Sequence, residues 1–306
     1  MLAAATVAAA LAWTPLPPAS LPRSEVAAAR VGGSIYVAGG FGRGGRTTST
    51  VERYDIRRRR WRRVPPMPVA LNHPAAVAYR GSFYVSGGYS SGHALASPSR
   101  VLLRYNPRRG RWRRLPRAPT PRAAHAAAVI AGRLYLAGGA NDSGSLRSLE
   151  IYDFAGRRWS SGPDFPGPAR NHTTGVATGG RFYVLAGRDS QNYATAERYD
   201  PRRRVWEQLP DMRTARGGIA SARLRDGRIA VFGGEDLSPG GTTIRKVELF
   251  DPRTRRWSTL PDLRTPRHGL GGAALGNRVF AVKGGLVPGF SLSPTIEFLD
   301  VPAASP

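Results

Sequence analysis

Trp13, Trp61, Trp112, Trp159, Trp206 and Trp257 are all the tryptophans the chain contains, and they recur at steps of 48, 51, 47, 47 and 51 residues. A second marker keeps the same time. The apolar run Ile35-Tyr36-Val37-Ala38 ends in Gly39-Gly40, and comparable runs end in Gly87-Gly88, Gly138-Gly139, Ala186-Gly187, Gly233-Gly234 and Gly284-Gly285, at steps of 48, 51, 48, 47 and 51. Two unrelated markers with one period mean six copies of one supersecondary unit. A unit of that size cannot bury its apolar face alone and must stack against its neighbours.

Each unit reads as two hairpins. Tyr54, Tyr105, Tyr152, Tyr199 and Phe250 each precede a tryptophan by seven residues, with Asp or Asn and a basic turn between them. An aromatic strand, a turn of Asp, Asn, Pro or Gly, and a second strand make a hairpin. The small-residue pair closes another: Val26 to Ala29, a turn at Gly32-Gly33, then Ile35 to Ala38. Every unit thus holds four strands, A to D.

Apolar strand, double glycine, Tyr-Asp and tryptophan in this order resemble the kelch repeat, from Trp13 to Asp300. The departures are Ala186, in place of the first glycine, and Leu299, in place of the strand-C aromatic. The resemblance implies an all-β, six-bladed kelch β-propeller of the bacterial type, with four antiparallel strands per blade. No tryptophan follows Leu299, so the last unit lacks strand D, while Trp13 precedes the first double glycine by 26 residues, as Trp61 precedes the second. The segment around Trp13 is therefore expected to complete the last blade, which leaves no open radial edge. Residues 13–300 form one propeller domain and 301–306 a short tail. The tryptophans read as packing between blades, not as stacking platforms for a ligand.

Residues 1–12 are rich in Ala, Leu and Val, and Ala10-Leu11-Ala12 has the form of a leader-peptidase cleavage site. They read as a signal-peptide remnant, with an exported, periplasmic or extracellular protein as the expectation and a cytoplasmic one as the alternative. No stretch approaches the 18 or more apolar residues of a membrane-crossing helix. The absence of cysteine excludes disulfides, thiolate metal sites and cysteine nucleophiles. The net charge of +26 is nearly all arginine and predicts attraction to polyanions.

Length varies most between strands B and C, where the small-residue pair and the strand-C aromatic position lie 15, 18, 14, 13, 17 and 15 residues apart. Variable loops on a fixed scaffold are where binding concentrates. In an up-and-down blade these B–C loops share a face with the D–A loops. The D–A loops carry Arg23, Arg122, Arg170, Arg216 and Arg267, each after a Pro or Ala, with Leu71-Asn72 in blade two. Just beyond lie His73, His125, His172 and His268, and Asn72 and Asn171 sit at matching positions before two of them. These residues are the candidate binding site, an anion-collecting mouth of the central channel in which Arg grips carboxylate or phosphate. The competing reading has each arginine tying neighbouring loop carbonyls. The histidines come from different blades without the short spacing of a zinc site, so no metal and no cofactor is expected.

Nineteen of the 46 basic residues fall in the C–D turns, on the opposite face. Arg57, Arg58, Arg59, Arg60, Arg108, Arg109 and Arg111 begin this rim, which suits nonspecific polyanion binding. The first functional expectation is a noncatalytic, monomeric scaffold for a protein or anionic glycan. The second follows from resemblance to exported kelch propellers that act as sialic-acid mutarotases. The third is a polyanion-binding surface protein. Kelch-fold copper radical oxidases use a Cys cross-linked to Tyr, and the lack of cysteine removes that activity. No catalytic residue is assigned.

Overall fold

The computed structural model describes residues 11–304, so the leader reading of residues 1–10 lies outside it. Six four-stranded antiparallel sheets stand around one axis. Blade one comprises Ala27–Val31, Ser34–Ala38, Val51–Asp55 and Arg60–Val64 as strands A to D. Blades two to five repeat that order. Blade six takes Gly271–Leu275, Arg278–Val282 and Ile296–Asp300 from the far end of the chain, and its strand D is Thr14–Leu16, paired antiparallel with Ile296–Phe298. The expected closure is present.

Burial follows radius. Strand A lines the axis and is built from Ala and Gly, because six strands converge there: a Cβ on Gly175 would strike the backbone at Ala127, and one on Gly272 the Ser221 carbonyl. Strand B is the core, with every residue of Ser34–Ala38 and Ser82–Ser86 buried. Strand D is the most exposed, with its tryptophan and its last residue, as at Val64 and Gly162, partly covered.

The tryptophans stitch the ring. Each indole N–H donates to a proline carbonyl at the end of the preceding blade's strand D: Trp61 to Pro17, Trp112 to Pro65, Trp159 to Pro116, Trp206 to Pro163, Trp257 to Pro210 and Trp13 to Pro261, all between 2.7 and 3.0 Å. An indole that satisfies its one donor while packing its rings, buried in Trp13 and Trp257 and half-buried in the other four, explains why one residue type recurs at this place.

The small-residue pairs form a second set of joints. The N–H groups of Gly40, Gly88, Gly139, Gly187, Gly234 and Gly284 donate to the carbonyls of Leu71, Arg122, Arg170, Arg216, Arg267 and Arg23 in the next blade. These six have φ between 89° and 117°, a region open in practice to glycine alone. The residues just before them have φ between 48° and 71°, the left-handed helical region that other residues enter at modest cost. That is why Ala186 is tolerated at the first position. It also corrects the pairing in blade six: the structural pair is Lys283-Gly284, with Lys283 at φ 59°, and Gly285 belongs to the loop beyond.

Candidate functional site

The five D–A arginines do not line the channel mouth. Arg23, Arg122, Arg170, Arg216 and Arg267 are at most 1% exposed, and each guanidinium lies inside the wall of its own blade. There each meets a strand-C glutamate: Glu52 at 2.9 Å, Glu150 at 3.2 Å, Glu197, Glu248 at 2.9 Å and Glu297 at 2.6 Å. Each also donates to the carbonyl of the first small residue, on Gly39, Gly138, Ala186, Gly233 or Lys283. Buried in the wall and turned onto these partners, the guanidiniums present no donor to a ligand at the mouth, although Nε of Arg23, Arg122 and Arg216 stays unpaired. Burial pulls Arg216 down to about 10 against the opposing pull of Glu248. The signal was in the chain: glutamate stands two residues before the strand-C aromatic position in the five blades that have the arginine, and blade two, with Leu71, has Leu103 there.

What reaches the axis is the residue two places after the arginine: Glu25, His73, Ala124, His172, Gly218 and Gly269, all at φ between 48° and 70°. Neighbours in this neck ring are joined by backbone hydrogen bonds, His73 N–H to Glu25, Ala124 to His73, Gly218 to His172 and Gly269 to Gly218. Glu25 Oε2 lies 3.0 Å from His73 Nε2, and Oε1 lies 3.1 Å from His268 Nδ1. Burial alone would raise the Glu25 carboxyl, but the imidazoles of His73 and His268 hold it well below the usual carboxylate range. Despite burial, Glu25 lifts His268 above its ordinary value. Burial, with Arg188 nearby, holds His172 well below its own. His73 Nδ1 is 2.7 Å from Asn72 Oδ1, and His172 Nδ1 is bound to Asn171 Oδ1. Glu235 pairs with Arg188 and accepts the Gly289 N–H at 2.8 Å. His125 stands apart, bound to Ser86 at 3.0 Å, with burial and then Arg122 pushing it down to about 3.

Asn72, His73, Asn171, His172 and His268, from blades two, four and six, thus come together at the neck. The sequence missed Glu25, Arg188 and Glu235, which stand at repeated positions but are not repeated residues, so no periodicity exposes them. One donor atom each from Glu25, His73 and His172 lies within 4.8 Å of the others, the one such set among the described residues. Beside them is a cavity of about 70 Å³.

A larger hollow of about 460 Å³ lies on the same face, lined by Ser20, Arg43, Arg46, Thr47, Thr48 and Arg63 among others. All three arginines are exposed, and none meets a carboxylate among the described residues. Exposed Leu95, Leu237, Leu286, Val287 and Phe290 cap the B–C loops. On the opposite face Arg57, Arg58, Arg59, Arg60, Arg108, Arg109 and Arg111 are exposed on the C–D turns, as the repeat implied.

A family model described as the KLHDC2/KLHL20/DRC7 Kelch-repeats domain matches residues 25–234, and another, described as the Kelch motif, matches residues 220–264. No curated protein matches the chain. The solved structure of YjhT is similar at a TM-score of 0.78 and 16% identity, over 92% of this chain and 95% of that one, a likeness of fold.

Proposed function

Because the chain belongs to the kelch-repeat family, we propose that it works as a noncatalytic recognition scaffold whose B–C/D–A face takes an acidic glycan in the hollow on blade one. The observation that carries this reading is the set of Arg43, Arg46 and Arg63 around about 460 Å³, none of which forms an ion pair among the described residues. Three exposed guanidiniums suit a carboxylate or sulfate, and the hydroxyls of Ser20, Thr47 and Thr48 suit the sugar beside it. With the five D–A arginines consumed in the blade walls, the attraction for anions moves from the axis to this loop hollow. The Arg rim of the opposite face adds a salt-sensitive, nonspecific affinity for polyanions.

Calorimetric titration with acidic oligosaccharides found on a glycan array tests the assignment. The Arg43→Ala/Arg46→Ala double variant weakens binding about 10-fold or more, the scale of one lost charge-assisted contact. Alanine at Arg57, Arg58, Arg59 and Arg60 leaves it unchanged. Equal losses from both variants would defeat the assignment of the site to the loop face. An NMR anomerisation rate on sialic acid above that of buffer would replace the noncatalytic reading with sugar-acid mutarotation.

A further inference from the structure

Two imidazole nitrogens at the neck, His172 Nε2 and His268 Nε2, are buried without a partner, and for His172 the cause can be followed atom by atom. The carboxylate of Asp189 only accepts, so the Ser145 hydroxyl, 2.6 Å away, donates to it. The Ser145 oxygen is then free to accept the Asn171 amide N–H at 2.7 Å. That turns the Asn171 oxygen toward His172 Nδ1, which must carry the ring's proton. His172 Nε2 is consequently a bare lone pair, buried and without a hydrogen bond. His73 repeats the arrangement: Asn72 Nδ2 binds Thr47 Oγ1 at 2.8 Å, and Asn72 Oδ1 lies 2.7 Å from His73 Nδ1. Its Nε2 then faces Glu25 Oε2 at 3.0 Å, a contact between two acceptors that only a bound cation or an added proton can make attractive.

We propose that Glu25, His73 and His172 bind one divalent transition-metal ion of the zinc class, through His73 Nε2, His172 Nε2 and a Glu25 carboxylate oxygen at the channel neck. Imidazole with carboxylate is a donor set suited to such ions. Four-coordinate donors about 2.1 Å from zinc stand about 3.4 Å apart, so the set needs to contract by about 1.4 Å from its 4.8 Å span. Asn72 and Asn171 hold the two rings by their far nitrogens, as outer partners of metal-bound histidines do. The cavity of about 70 Å³ leaves room for a water as fourth ligand. Of the six ring positions, blades three, five and six hold Ala124, Gly218 and Gly269, while blades one, two and four place there the three side chains that carry donors.

The test is calorimetric titration of Zn²⁺ into the full chain after chelator treatment, with Co²⁺ absorption as a second readout. The expected result is one saturable site per chain and a raised melting temperature. His172→Ala and Glu25→Gln should each lose at least about 100-fold in affinity and the zinc-dependent rise in melting temperature. Asn171→Ala should lose about 10- to 100-fold, and His93→Ala, on an exposed loop, nothing. Absence of a single saturable site, or full affinity in a folded His172→Ala, overturns the proposal. If a ligand variant does not fold, the wild-type cobalt complex decides: an intense visible band upholds a four-coordinate site, and a weak six-coordinate spectrum overturns it.

Discussion

In blade one, Arg23 and Glu52 lie 2.9 Å apart inside the wall; in blade two the same two places hold Leu71 and Leu103, both fully buried. Strand register and the joint to the next blade are the same in both. One backbone is thus compatible with a desolvated ion pair or with a pair of leucines, which agrees with the general finding that such pairs can be exchanged for apolar groups of like volume. The ion pair is not what makes a blade fold. What cannot be tolerated is half of it, since a lone buried charge has neither water nor a partner. Blade two departs from its neighbours once more, at the C–D turn. Gly110 takes the left-handed position there, where Arg59, Arg157, Arg204 and Arg255 stand in the other turns.

The largest expected effect comes from breaking the pair in blade five. Arg216→Leu or Glu248→Leu alone should cost about 3–5 kcal/mol in urea unfolding, while the double variant should return to within about 1.5 kcal/mol of the parent. A double variant no better than the worse single one would show that the leucines of blade two depend on surroundings that blade five lacks.

Next comes the one wall that holds an extra cation. Lys283 of blade six is fully buried, with Nζ 2.8 Å from Glu52 Oε2 and 2.6 Å from the Leu21 carbonyl. Burial, and then the charge of Arg23, pushes its ammonium down from 10.5 to about 7. Between those two pH values the unfolded chain holds a proton that the folded protein has released. Stability therefore rises with pH across that window, and the burden is fully present below about 7. Lys283→Met should flatten the rise between pH 7 and 9, read from unfolding midpoints at each pH. A slope unchanged in the variant would assign it to other groups.

The smallest effect sharpens the turn comparison. Arg59→Gly or Arg204→Gly should stabilise by about 0.5–1 kcal/mol through relief of left-handed strain, and Gly110→Arg should destabilise by a similar amount. Thermal melts of the three resolve this, and a loss on either glycine substitution would show that the arginine side chain contributes more than the strain it carries.

The scaffold was legible in the sequence because every unit meets the same physical demands. Trp13 and Trp257 recur because each joint needs a donor for a proline carbonyl, and the second glycine recurs because nothing else adopts its φ. The same logic misled at the arginines. Their repetition marked them as shared, and a feature shared by five blades is part of the wall. Repetition alone does not give their direction; the glutamate that repeats with them, Glu52 and its counterparts, does. The neck was half legible. His73 and His172 each follow an asparagine at matching places of the repeat, but Glu25 has no counterpart elsewhere in it. That blades one, two and four bring side chains into contact across the axis is a property of a closed ring and of no local spacing.

Thr14–Leu16 pairs with Ile296–Phe298, and Trp13 shares an apolar cluster with Leu299 and Val301. Residues nearly three hundred positions apart thus lie side by side, and the path of the backbone is circular but for one gap. A short flexible linker across that gap would produce a molecule open to circular permutation, with new ends at any D–A crossing and each blade then drawn from one uninterrupted stretch. In such a permutant blade six would no longer depend on the meeting of distant segments, and folding would lose its longest loop to close.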